Sequence, residues 1–184
     1  MVAVAHGSRD PRAAATVAEL LRAVRVRRPD VPVLPSFLDH APPAPDRVLE
    51  GLARNGPDGD GVEAVVLPLL LTAAYHSKTD LPGVLARVRS RRPRLRLHTA
   101  RTLGPHPLLT AALERRLAEV DVRPGSPGTA VVVVSAGSSD ASANATVAAL
   151  ADRWRARGWW DAAAANAPAA GPTPAEAVTA LRAE

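Results

Sequence analysis

The chain has 184 residues, no cysteine, 47% hydrophobic but only 3% aromatic residues, and a formal charge of +5 from 23 Lys+Arg against 18 Asp+Glu. That length accommodates one domain, or one domain and part of another. Lack of cysteine excludes disulfides, thiolate zinc, iron–sulfur ligation and a cysteine nucleophile, and the absence of a signal-length or membrane-length apolar run leads us to expect a soluble, cytoplasmic protein.

Short apolar runs at 2–5, 31–38, 62–71, 95–100 and 130–135 predict β-strands. Between them, 13–28, 46–55, 81–92 and 108–120 carry apolar residues at helical spacing. Strands that are apolar throughout and alternate with helices indicate a parallel sheet covered on both faces. The fold class is α/β, with a three-layer α/β/α arrangement. Residues 121–129, with Pro124, Gly125, Pro127 and Gly128, read as a linker.

After the linker the chain repeats itself. Val131-Val-Val-Val-Ser-Ala-Gly-Ser-Ser-Asp aligns with Met1-Val-Ala-Val-Ala-His-Gly-Ser-Arg-Asp, and nine of the fifteen residues from 6 to 20 are identical to those 130 positions later. A weaker echo pairs Pro43-Ala-Pro-Asp with Pro172-Thr-Pro-Ala. This internal duplication predicts a complete unit at 1–120 and an incomplete one at 130–184, with counterparts of the first two strands and two helices but none of the third strand. So small a unit buries little core by itself. It is expected to pack on the first unit, to form a homodimer, or to belong to a chain truncated at its C-terminus.

Histidine supplies the candidate chemistry. His6 ends the first strand and opens Gly7-Ser8-Arg9-Asp10; His76 follows the third strand, in the loop leading to Lys78 and Asp80. With a strand order of 2-1-3-4, both fall at the switch point, outside the carboxyl ends of adjacent strands, where open α/β sheets bind ligands. Asp39 ends the second strand on the same edge, with His40 beside it as a secondary candidate. His106, in Leu103-Gly-Pro-His-Pro, starts the fourth helix, either lining a pocket or capping that helix. Asp10 and Asp80 read as helix-start charges, and His98 as an edge-strand or solvated residue. Of the 23 basic residues 22 are Arg, and 38 residues are Ala, a bias that raises charge without selecting a partner. The Arg clusters 22–28 and 87–92 end helices, complement their dipoles and fall on the opposite edge. Arg9, Arg47 and Lys78 remain on the histidine edge as candidates for an acidic ligand.

Other site classes fit poorly. There is no phosphate-loop or dinucleotide fingerprint and no G-x-S-x-G elbow. One Tyr, one Phe and three Trp, the last confined to 154–160, give no stacking surface for nucleic acid.

Taken in order, His6-Gly7-Ser8-Arg9-Asp10-Pro11, Phe37-Leu38-Asp39, Leu67-Pro68-Leu69-Leu70-Leu71-Thr72 with His76 and Asp80-Leu81-Pro82, and Leu103-Gly104-Pro105-His106-Pro107 resemble the sirohydrochlorin chelatases of the CbiX/SirB type, the class II chelatases. The resemblance implies a chelatase-like fold and insertion of Co2+ or Fe2+ into sirohydrochlorin, for cobalamin or sirohaem synthesis. It implies no cofactor beyond the metal substrate, and no nucleic-acid or membrane partner. The family's two metal-site histidines fall on His6 and His76. Its Glu after the Phe-Leu pair falls on Asp39, one methylene shorter. Imidazole both ligates borderline metals and accepts a proton near neutral pH, so His6 and His76 are expected to bind metal and take up pyrrole protons, with Asp39 assisting. Ser8, Arg9, Arg47, Lys78 and His106 are the expected contacts to the acidic tetrapyrrole. In the second copy Ala136 replaces His6, which predicts one active site per chain. The competing reading is a non-catalytic metal- or tetrapyrrole-binding protein derived from a chelatase.

Overall fold

A computed structural model describes residues 1–55, 61–73, 76–126, 128–159, 161–167 and 171–183, without the side chains of His76 and Ser77. Two compact units divide the chain, Met1–Leu103 and Gly104–Glu184.

The first unit runs β1 (Val2–Ala5), α1 (Pro11–Arg27), β2 (Leu34–Phe37), α2 (Pro45–Asn55), β3 (Glu63–Pro68), a π-helical turn (His76–Asp80), α3 (Leu81–Arg91) and β4 (Arg96–Thr99). Its strands form one parallel sheet in the order β2-β1-β3-β4, as the switch-point argument requires. β1 fills its apolar run, whereas β2, β3 and β4 are shorter than theirs; Val31, Val33 and Leu69, which flank the shortened β2 and β3, pack on the α1 side.

All four residues of β1 are buried, and they alternate between two cores. Val2 and Val4 pack with Leu49 of α2, Leu81, Leu85 and Val88 of α3, and Val66 of β3. Ala3 faces the other way, with Leu21 of α1 and Val33. Side chains alternate across a strand, so one tetrapeptide nucleates both layers. The chirality of parallel crossovers explains the sides: β1 to β2 steps one way along the sheet, whereas β2 to β3 and β3 to β4 step the other. Thus α1 covers one face while α2 and α3 cover the opposite one.

The helix ends match their sequence signals in most places. Asp10 caps α1, accepting from Arg12 N at 2.9 Å, with Pro11 in the first turn. Asp80 has helical backbone angles and makes no capping hydrogen bond, since the π-helical turn leads straight into α3. At the far edge, Arg25 donates to the Val33 carbonyl (Nη2 2.6 Å) and Arg89 to the Leu97 carbonyl (3.0 Å), each joining a helix end to the next strand. The clustered arginines that make these bonds act in the scaffold.

The second unit contains α4 (Pro107–Ala118), β5 (Ala130–Ser135), α5 (Ala141–Arg155), β6 (Asp161–Asn166) and α6 (Pro174–Ala183). β5 and β6 pair in parallel over six residues. The helix α4 belongs to this unit because Leu117 and the following Val122 pack on its core of Val131, Ala151, Trp154, Trp159 and Ala162. The two indoles lie 5.9 Å apart, centroid to centroid. They supply the apolar bulk that β6, Asp161-Ala-Ala-Ala-Ala-Asn166, lacks.

The duplication is structural as well as sequential. Asp140 caps α5 as Asp10 caps α1, and Ser8 and Ser138 hydroxyls each accept from the cap residue's N–H at 3.1 Å. Arg155 donates to Ala162 O as Arg25 does to Val33 O. Asn166 N donates to Pro172 O at 2.9 Å, the counterpart of Phe37 N to Pro43 O at 2.9 Å. Among the described residues no helix is long and apolar enough to cross a membrane.

Candidate functional site

The carboxyl end of β1 delivers the chain into a tight junction with the end of β2. Leu38 N donates to Ala5 O (3.0 Å) and Asp39 N to His6 O (2.9 Å), so the β1–β2 pairing extends past both strands and brings His6 beside Asp39. Gly7 follows with φ +95°, in the left-handed region. A Cβ there would overlap the Asp39 carbonyl oxygen and stand 2.9 Å from its carbon. Only glycine satisfies both the backbone angle and this close approach.

His6 is partly buried, and its Nδ1 lies 3.0 Å from Gly7 O. With Nδ1–H as donor, the ring's basic lone pair is on Nε2, the arrangement that suits metal ligation or proton uptake. The His40 ring lies 6.3 Å from His6, centroid to centroid, tilted by 46°. Its Nε2 is 3.3 Å from Asp39 Oδ2, while its backbone N–H donates to Asp39 Oδ1 at 2.7 Å. His40 has φ 60°, and Ala41 N closes the turn around it onto Asp39 O at 2.7 Å. Such a left-handed turn at a non-glycine residue costs about 1–3 kcal/mol, and strain of this kind gathers at functional sites.

The other expected site residues are distributed as follows. Ser8 is partly buried and its hydroxyl accepts from Asp10 N, so it holds the loop in shape. Arg9 is exposed at the tip of the same loop. Arg47 is exposed in the first turn of α2, beside an open, largely apolar cavity of ≈ 300 Å³ along the outer flank of β2. Lys78 is exposed in the π-helical turn, which also contains the His76 backbone. That turn follows β3, the strand paired with β1, and leads into α3; the His76 side chain lies outside the described residues. His106 caps α4 in the second unit, its Nδ1 accepting from Leu108 N at 3.2 Å. His98 is exposed on β4, 2.8 Å from Glu63 Oε1 on the neighbouring strand. Among the described residues, no group of three or more metal-ligating side chains converges.

Charge at the rim of the loop is locally balanced. The Arg12 guanidinium hydrogen-bonds Asp10 and holds its carboxyl below the usual range, reinforced by the Arg12 backbone N–H. Arg12 and the Gly7–Asp39 contact had no signal in the sequence, since neither residue of the contact pairs through periodicity or a charge pattern.

In the second unit the same corner has different chemistry. Ala136 stands in place of His6, and Ser135 donates to Asn166 Oδ1 at 2.6 Å where the first unit has Ala5 and Phe37. There the histidine is lost, and a neutral hydrogen bond joins two positions that are apolar in the first unit.

Comparison with known proteins identifies the family. The CbiX family model matches residues 1–120. The sirohydrochlorin ferrochelatase of Bacillus subtilis (strain 168) is 30% identical over 150 residues, 81% of this chain and 55% of that one. A sirohydrochlorin cobaltochelatase of Priestia megaterium is 32% identical over 84 residues, 45% of this chain and 28% of its own. The chain therefore spans about half the length of the first of these relatives and less of the second. The solved structure of SirB from Bacillus subtilis with Fe3+ superposes with a TM-score of 0.83 at 28% identity, over 97% of this chain and 69% of that one. The histidine-bearing corner thus lies within a stretch that matches the family from its first strand to the end of α4, and the chain belongs to the CbiX family.

Proposed function

We propose that this protein inserts Co2+ or Fe2+ into sirohydrochlorin, using the corner where β1 and β2 end. The observation that carries the reading is His6, held with Nδ1 against Gly7 O and joined through its backbone carbonyl to Asp39 at the carboxyl edge of a 2-1-3-4 sheet. The ferrochelatase and cobaltochelatase relatives support it.

Metal insertion strips water from a divalent ion and releases two protons from the pyrrole nitrogens. His6, with His76 from the segment after β3, binds the incoming metal and accepts those protons; Asp39 assists by balancing the ion's charge during transfer. Ligation by few groups leaves positions for water or substrate, so the ion can be handed over. Arg9, Arg47 and Lys78 offer cations to the tetrapyrrole carboxylates, with Ser8 as a polar contact. In this reading the first unit is the catalytic one, the expected boundary at 120 moving to Leu103 because α4 packs in the second unit, and 130–184 is a partial copy without a metal site of its own.

Spectrophotometric assay of sirohydrochlorin with Co2+ or Fe2+ tests this. Insertion should be accelerated over the protein-free rate, and His6→Ala and His76→Ala should each abolish most of the acceleration. Binding of metal or tetrapyrrole without acceleration would assign the protein to the non-catalytic class. Equal rates for wild type and both variants would refute the roles given to the histidines.

A further inference from the structure

The tie between His40 and its neighbour goes beyond the residues assigned above. Both oxygens of the Asp39 carboxylate meet His40: Oδ1 accepts from the backbone N–H at 2.7 Å, and Oδ2 is 3.3 Å from the ring Nε2. The ring can reach back because His40 has φ 60°, a conformation that returns its side chain over the preceding residue and that the Ala41–Asp39 hydrogen bond closes. Two-thirds of the Asp39 side chain is exposed (65%), whereas His40 is half as exposed (32%). An exposed carboxylate on a loop samples several rotamers; one that accepts a hydrogen bond at Oδ1 and has an imidazole against Oδ2 samples fewer. The His40 ring also stands 6.3 Å from His6, so the same side chain spans from the carboxylate to the histidine corner.

We propose that His40 is a positioning residue for the chelation site, fixing the Asp39 carboxylate in the orientation that receives the divalent ion. The inference rests on the role of Asp39 proposed above. Its signature is specific: loss of the ring weakens metal capture without weakening tetrapyrrole capture, and does so only while Asp39 is a carboxylate. Hydrogen-bonding partners behind a metal-handling group are typically worth about 10–100-fold in metal affinity or activity, and an exposed pair belongs near the lower figure.

The test is a double-mutant cycle on the full chain with His40→Gly and Asp39→Asn, because glycine keeps the left-handed backbone while removing the ring. Two quantities are measured: Co2+ binding by calorimetry without tetrapyrrole, and KM for Co2+ and for sirohydrochlorin separately. His40→Gly is expected to weaken Co2+ binding and raise KM for Co2+ about tenfold, leaving KM for sirohydrochlorin unchanged and the thermal midpoint no lower than wild type, since glycine relieves the left-handed backbone. The double variant should be no worse than the more damaged single variant. His40→Asn, which tolerates the same backbone and offers an amide donor, should recover part of the loss. Effects that multiply in the double variant, a His40→Gly protein with wild-type Co2+ binding, or no recovery with Asn would each overturn the proposal. Failure of the chelatase reading is separately visible, because wild type would then bind Co2+ without accelerating its insertion, while the calorimetric comparison of wild type and His40→Gly still reads the tie to Asp39.

Discussion

Replacing Gly7 with alanine probes the junction on which the site depends. The methyl group meets two obstacles. At φ +95° a residue with a Cβ pays roughly 1–2 kcal/mol for the left-handed backbone. The Cβ would also overlap Asp39 O and approach its carbonyl carbon to 2.9 Å and Phe37 Cβ to 3.4 Å. Ordinary contact with a backbone carbonyl requires the β2 end to retreat, which breaks the 2.9 Å bond from Asp39 N to His6 O, worth about 1 kcal/mol net. Together these come to about 2–3 kcal/mol, a large share of the stability of a domain this size. Thermal unfolding followed by circular dichroism should show the midpoint of Gly7→Ala lowered by roughly 4–12 °C. Co2+ binding should weaken at the same time, because Asp39 moves away from His6. Gly51→Ala is the matched control: it is a helical glycine in α2 with nothing within 4 Å of where an added methyl would stand, and the change should be neutral or slightly stabilising. A Gly7→Ala protein as stable as wild type, with undiminished Co2+ binding, would refute the claim that this contact holds the corner together.

Acid sensitivity follows from three exposed carboxyls held below their ordinary range: Asp10 by Arg12, Asp30 by Arg28, and Glu176 by the Thr173 backbone N–H and hydroxyl. A lowered folded value means that the unfolded chain binds more protons, so their contribution is full above about pH 4 to 4.5 and is lost as pH falls through the lower folded values. Combining Asp10→Asn, Asp30→Asn and Glu176→Gln should therefore flatten the fall in stability between about pH 5 and pH 2, measured by urea unfolding; an unchanged slope would contradict the assignment. In the second unit, Trp154 Nε1 donates to Glu114 Oε1 at 3.0 Å, and Arg157 Nη1 lies 3.2 Å from the same oxygen. Glu114→Ala leaves a buried indole N–H without that acceptor and should destabilise this unit by about 1–3 kcal/mol, with Glu114→Gln recovering part of it. Tryptophan fluorescence reads this unit selectively, because all three tryptophans lie between 154 and 160.

Much of the architecture is written in local patterns. Val2–Ala5 and Ala130–Ser135 are strands where their apolar runs predict them, and helices α1 to α4 lie within two residues of their periodic segments, because burial of a covered sheet demands apolar residues at fixed spacing. Strand β6 is the exception: four consecutive alanines have poor strand propensity, and only the duplication identifies the segment as a strand. Its packing partners, Trp154 and Trp159, complete a core that no single window of sequence displays. The helix α4 shows the same limit. Periodicity identifies it as a helix, but its apolar face packs with β5 and β6 rather than with the sheet that precedes it in the chain.

The low aromatic content and lack of cysteine left histidine and carboxylate as the candidate metal chemistry, and the repeat with its Ala136 showed which copy retains it. Those conclusions follow from sequence because they concern which functional groups exist and in what order. The carboxyl-edge position of His6 needed the strand order, and its pairing with Asp39 needed the close approach of Gly7, both set by contacts between residues more than thirty positions apart. His40 shows the difference most plainly. In sequence it is a histidine next to an aspartate; in the folded chain its left-handed backbone turns the imidazole back onto that carboxylate. A backbone angle of that kind is imposed by the turn that closes around it, and no composition or periodicity encodes it.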